Sequence, residues 1–546
     1  MPKTKTKRAR KKRQSHVQRH AFQINVVRPN LIRAVEQAEE LLAGTLSLDY
    51  FRRGMELVKP SVLSKRTEDE LFGFTREKGS VILQPATKEL IVRDVMRNSD
   101  CFVSDENGGT RSADFPPYFA THVLDKARRG EGKYRLLYLV SNTPILTSFE
   151  HGTILTEPGY REGVLMVPSR VKYPAVPDVV TPEMARAALD EFAEVYKCFP
   201  FKASAPNQKW DETPSYAAVL ASVLTLVARP ALPIVPRFGI TAPTRGFGKT
   251  KISEAACCAA LGVKPTLMGF PNQIEFDKAL VPLMQAADRG ICIDNIDIPF
   301  HSGMFCALLT TDTAYQARIL GHSRTASLLN ASVFFATGNQ LSIKGDLTRR
   351  AVMISVGDDC EYPERRYFEF DPVEAAKELH PQLCVAALTA LRGYLQAGHP
   401  WMLQRTELQD FWHWDRLVTG TLTWLKFADP LLTRTDVEES DPQREEDLQL
   451  LTVWHENYPQ PMTVPELQAA GEFGSLWPML APDGRWDNAK VGYRLRTLNG
   501  KVVCGYKLKR LPVLSHGCTL WTVTKDGKPP EPKQSVEAPS EETVFP

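Results

Sequence analysis

One stretch constrains the fold of this chain more than any other. An apolar run over 236–241 leads into Pro243-Thr244-Arg245-Gly246-Phe247-Gly248-Lys249-Thr250, and a helical pattern opens at its end. Two glycines let the backbone turn its N–H groups inward and approach an anion closely. Lys249 then supplies an ammonium, Thr250 a hydroxyl, and the new helix its positive dipole end. That is the design of a phosphate-binding loop, and it requires a buried strand before it and a helix after it. One position departs from the usual G-x-x-x-x-G-K-[ST] pattern, where Pro243 stands in place of the first glycine.

The surrounding rhythm fits the requirement. Short apolar runs at 236–241, 266–269, 290–294, 332–337 and 351–356 alternate with helical stretches. Such alternation predicts a parallel sheet covered on both faces, hence an α/β core. Three of these runs end in, or are flanked by, residues that carry chemistry. Asp294 closes the third, where a carboxylate can hold Mg²⁺ through water. The activating Glu that commonly follows is replaced by Asn295, leaving Glu275, Asp297 or a backbone-held water to act as base. Asn339 follows the fourth, where an amide can orient an attacking water. Arg349 and Arg350 precede the fifth, where either can serve as a finger toward a neighbouring subunit's nucleotide.

Charge is unevenly spread. The formal total over 546 residues is only +3, yet residues 1–20 hold nine Lys or Arg and no acid, leaving a body of about −6. A terminal run of this kind predicts a disordered, phosphate-seeking arm. The ten cysteines form no CxxC pair, the usage of a reducing compartment without a disulfide framework or zinc site. With no uninterrupted apolar run of about 20 residues and no apolar segment behind the basic start, the chain is expected to be cytoplasmic, with no membrane partner.

Near the C-terminus, residues 488–499 form a basic helix with Lys490, Arg494 and Arg496. A hairpin pattern with Lys507 and Lys509 follows. A basic second helix with a basic wing is the footprint of a winged helix on DNA.

Taken together, these residues resemble AAA+ ATPases of phages and integrated mobile elements, which are often described as primase-associated or helicase-like. The resemblance covers most of 130–525. It rests on Ala242 through Thr250, Glu275 with Lys278, Ile293-Asp294-Asn295, Arg318 to Gly321, Thr337-Gly338-Asn339 and Gly345 to Arg350. Pro363-Glu364-Arg365, His380-Pro381, Trp424-Leu425 and Asp429-Pro430 extend it. It implies ATP and Mg²⁺ as cofactors, ATP sites between subunits of a homo-oligomeric, hexameric ring, and DNA, single-stranded or forked, as partner. A primase or replication-initiator partner is also implied, since residues 21–200 hold no paired-acid strand that would serve as a primase site.

The expected organisation is a disordered basic arm (1–20), an α+β accessory domain (21–200), a P-loop AAA+ core (201–372), a helical lid region (373–460), a winged helix (461–525) and a disordered tail (526–546). The expected function is an ATP-driven, DNA-binding helicase-like motor. An initiator or loader switch without processive unwinding, or an interference ATPase acting on protein, are the alternatives.

Overall fold

The computed structural model describes residues 22–528 apart from 45–49, 70, 72, 106–107, 319–324, 361, 401–408, 435–441, 472–476 and 481–484. The basic arm, the tail beyond 528 and most of the Arg318–Gly321 motif therefore lie outside the described residues.

The centre of the protein is a seven-stranded, mostly parallel sheet. In chain order its strands are β1 (Thr67–Asp69), β2 (Phe74–Arg76), β3 (Arg237–Ala242), β4 (Thr266–Gly269), β5 (Gly290–Asp294), β6 (Val333–Asn339) and β7 (Ala351–Ser355). Their spatial order is β7-β3-β6-β5-β4-β2-β1. The last five in sequence are mutually parallel, and β6 is inserted between β3 and β5. All five match the apolar runs expected, to within two residues at each end.

Both faces of the sheet are covered, and the alternation along each strand shows it. Val333 and Phe335 of β6, with Cys292 of β5, enter one core with helices α5 (Pro214–Ala228), α6 (Lys249–Leu261) and α8 (His380–Gln396). Phe334, Ala336, Ile291 and Ile293 point the other way, into a core with α7 (Gln273–Ala286). Strands that bury both faces read as continuous apolar runs, which is why these were legible.

Helix α5 is apolar all round and correspondingly buried all round. Its start is set by Thr213, whose hydroxyl accepts from the Tyr216 amide at 3.2 Å, and by Pro214 in the first turn. The segment Pro214–Ala231 is long and apolar enough to cross a membrane, but 94% of it is buried inside the fold.

The N-terminal region divides by packing. Helices α1 (Leu31–Gly44), α2 (Lys88–Asn98) and α3 (Pro117–Arg128) share a core of their own around Val35, Leu41, Ile91, Phe119 and Val123. Between them, β1 and β2 extend the central sheet: β2 pairs antiparallel with β4, Phe74 opposite Met268, and β1 pairs antiparallel with β2. Arg76 locks this edge with a two-pronged ion pair to Asp288, both contacts at 2.7 Å. Residues 176–201, including α4 (Pro182–Asp190), pack into the main core against α8.

The C-terminal unit has a separate core. Helices α9 (Pro442–Asn457) and α10 (Asn488–Leu498) surround a three-stranded antiparallel sheet whose long strands are β8 (Tyr506–Ser515) and β9 (Cys518–Lys525). Trp454, Leu467, Leu495, Leu508 and Trp521 fill it. Helix α9, expected within the preceding helical region, thus joins this unit by packing, and Lys501 binds its Asp447 at 2.8 Å.

Candidate nucleotide site and basic C-terminal unit

The loop between β3 and α6 has the geometry its residues call for. Gly246 and Gly248 take φ of +94° and +76°, a region side chains rarely enter. A methyl group at Gly246 would lie 2.8 Å from the Glu364 backbone nitrogen, and one at Gly248 would lie 3.0 Å from the Phe199 ring. Phe247 is buried and anchors the loop from within, whereas Pro243, Thr244 and Arg245 are exposed around it. Gly248 caps α6 without a side-chain bond, so the first amides of the helix are left to face an incoming anion.

Sheet register brings the distant residues here. Ala242 at the end of β3 lies opposite Asn339 at the end of β6, and Asp294 ends the neighbouring β5. Lys249 Nζ donates to Asn339 Oδ1 at 2.7 Å and to the Thr244 carbonyl at 3.2 Å. Thr250 Oγ1 donates to Asp294 Oδ1 at 2.7 Å, and Thr337 Oγ1 donates to the same oxygen at 2.5 Å. Thr337 in turn accepts from the Asn295 amide, which leaves the strand in left-handed conformation. Partial burial pushes the Lys249 ammonium below its usual range, against the attraction of Asp294. It is thus a partly dehydrated cation held by neutral oxygens.

Thr250 and Asp294 present adjacent hard oxygens, the donor set that suits an ion retaining most of its water. Among the described residues no group of three or more His, Cys, Asp or Glu could hold a metal ion. A Mg²⁺ here would therefore rest on these two side chains, water and phosphate.

Glu275 occupies the first turn of α7, capped by Asn272, and pairs with Lys278 at 2.7 Å. No hydrogen bond joins it to Lys249, Asp294 or Asn339. The two arginines are placed differently again. Both bind Asp346, Arg349 at 2.7 Å and Arg350 at 2.8 Å, but the Arg349 side chain is 55% exposed and that of Arg350 only 8%. They precede β7, whose first residue, Ala351, lies opposite Arg237 at the start of β3. The glycine-rich loop leaves the other end of β3.

Beside Gly246 and Gly248 is a cavity of about 310 Å³, lined also by Phe199, Lys251, Phe368, Phe370 and Asp371. Sequence reading passed over these residues. The rings come from segments some 170 residues apart, and the Lys251–Asp371 ion pair of 2.7 Å that borders them exists only after folding.

In the C-terminal unit, Lys490 and Arg496 are exposed on one side of α10, and Lys507 and Lys509 alternate with buried Tyr506 and Leu508 on β8. Arg494 is turned inward. It donates to the Met479 carbonyl and lies 3.7 Å from Glu446, so it braces the unit.

No protein-family model matches the chain, and no curated protein matches it. Among solved structures, the apo A form of the NrS-1 C-terminal region aligns over 82% of this chain and 94% of its own, at 8% identity and a TM-score of 0.31. SCCmec type IV Cch, described as an active helicase, aligns over 78% of this chain and 83% of its own, at 10% identity and 0.33. JCV helicase aligns over 48% and 73%, at 14% identity and 0.20. All three TM-scores lie well below 0.5, so the shared outline is loose and the chemistry has to be judged from this chain's own residues.

Proposed function

We propose that this chain is an AAA+ type P-loop ATPase that acts on DNA as a ring-forming, helicase-like motor of a phage or mobile element. The observation that carries the reading is the convergence of Lys249, Thr250, Asp294 and Asn339 at one edge of a parallel sheet in which β6 lies between β3 and β5. The phosphates of ATP sit on the loop amides and Lys249, with the base in the Phe199–Phe368–Phe370 cavity. Thr250 and Asp294 hold Mg²⁺, which when bound neutralises charge on the β- and γ-phosphates. Asn339 exchanges its bond to Lys249 for one that orients the attacking water. The C-terminal unit is a winged helix, with α10 toward a groove and the hairpin lysines on phosphates.

The primary test is ATP hydrolysis with and without single-stranded DNA. DNA should stimulate turnover, and Lys249→Ala should lower it by about 100-fold or more. Full turnover by that variant would remove the site assignment. One feature favours a second reading, an ATP-dependent initiator or loader switch: Asn295 stands beside Asp294, and among the described residues no carboxylate is hydrogen-bonded to Asn339 or Lys249. Efficient separation of a forked duplex by the purified protein decides for the motor. Tight binding of a specific DNA site without separation decides for the switch.

A further inference from the structure

The C-terminal hairpin ends in a feature that phosphate binding does not explain. Its lower half is anchored: Leu508, Trp521 and Val523 are buried, with Arg510 opposite Trp521. Above that pair the register slips, and the next match is Leu514 opposite Thr519. Leu511, Pro512 and Val513 therefore face Leu520 alone and bulge from the ladder, with Pro512 lacking a donor. The bulge is apolar and open to solvent. Val513 is 63% and Leu514 57% exposed.

The surroundings select what can cover it. From Asn488 to Lys525 the chain holds eight Lys or Arg and no Asp or Glu, and of these Arg494 and Lys501 face Glu446 and Asp447 of α9. Lys507, Lys509 and Arg510 lie directly below the bulge on the same strand. Tyr493, 69% exposed, stands between Lys490 and Arg496 on α10. A protein interface tends to exclude lysine from around its apolar centre. An apolar bulge above Lys507, Lys509 and Arg510 fits nucleic acid instead, where cations hold the backbones and Leu, Pro or similar side chains wedge into a base step.

We propose that the Leu511–Val513 bulge, with the adjoining Leu514, is a wedge for the junction between double- and single-stranded DNA. It enters the last base step of the duplex while Lys507, Lys509 and Arg510 hold the phosphates. This rests on the reading of the C-terminal unit as DNA-binding, and goes beyond it in assigning the apolar tip to strand separation.

The test uses the full chain and a forked duplex with 2-aminopurine in the last base pair, without ATP. Binding should raise the 2-aminopurine fluorescence several-fold. V513S/L514S, altered only at exposed positions, should bind the fork within about twofold of the parent yet lose most of that rise. With ATP, the same variant should unwind at least tenfold more slowly while retaining DNA-stimulated hydrolysis. K507A/K509A should instead weaken fork and single-strand binding alike and flatten the salt dependence. A fluorescence rise unchanged in V513S/L514S, or no rise despite saturated binding, overturns the wedge alone. Absence of any DNA binding overturns the DNA-binding reading and the wedge with it. So does binding of anionic phosphatidylserine vesicles in preference to DNA.

Discussion

Thr337 shows how one buried hydroxyl can organise a site. Its oxygen donates to Asp294 and accepts from the Asn295 amide, fixing which carboxylate oxygen faces Thr250. Thr337→Val keeps the shape and removes both bonds, leaving a backbone amide without its partner. That should cost about 1–3 kcal/mol of stability, read from denaturant unfolding. It should also raise the Mg²⁺ concentration needed for half-maximal ATP hydrolysis, because Asp294 is then held by Thr250 alone. Unaltered Mg²⁺ dependence would mean Thr337 only packs. Lys249, Thr250 and Asp294 were readable from local pattern because each sits at a strand or helix end beside its motif. Thr337 lay within a quoted motif, but its role needed β6 placed against β5. Phe199, Phe368 and Phe370 had no local signal at all.

At the scale of elements, α6 carries the phosphate loop at one end and a pH-sensitive brace at the other. His380, at the start of α8, packs against Gly262, where a methyl group would come within 2.9 Å of the imidazole. Its Nδ1 faces the Ala259 carbonyl at 2.9 Å and must donate there, leaving Nε2 to accept from the Tyr173 hydroxyl at 2.9 Å. Burial, with a smaller push from Arg289, holds its pKa below the usual 6.5. A depressed imidazole contributes stability that is present above 6.5 and is lost as pH falls toward its folded-state value. Urea midpoints at pH 7.5 and 5.5 should therefore differ more for the parent than for His380→Gln. An equal acid loss in both would assign the effect to other groups. The start of the helix was legible in sequence; the brace was not, since Tyr173, Ala259 and His380 are far apart in the chain.

Across the whole molecule, the two ends of the sheet separate the two halves of the proposed catalytic machinery. The phosphate loop follows the C-terminal end of β3, whereas Arg349 precedes β7 at the level of the β3 start. Six strand residues span roughly 16 Å or more, beyond the reach of an arginine side chain. Arg349 therefore does not reach the loop of its own chain, and in the proposed ring its exposure suits it to a neighbour's site better than buried Arg350. Mixing Arg349→Ala with Asp294→Asn subunits should recover ATP hydrolysis that neither variant shows alone. No recovery on mixing would argue against action between subunits.

The parallel core, its strands and the glycine-rich turn before α6 are written in local pattern, because strands buried on both faces and glycine-dependent turns leave a local chemical record. The sequence by itself also determined the basic character of the C-terminal unit. Only the tertiary structure decided that residues 67–76 complete the core sheet, that α9 packs with the C-terminal unit, and that Arg494 is a brace. It alone brought aromatic rings from two distant segments beside the loop and left an apolar bulge on the hairpin below its turn. Those outcomes depend on which surfaces meet, a free-energy balance among segments far apart in the chain that no local spacing encodes.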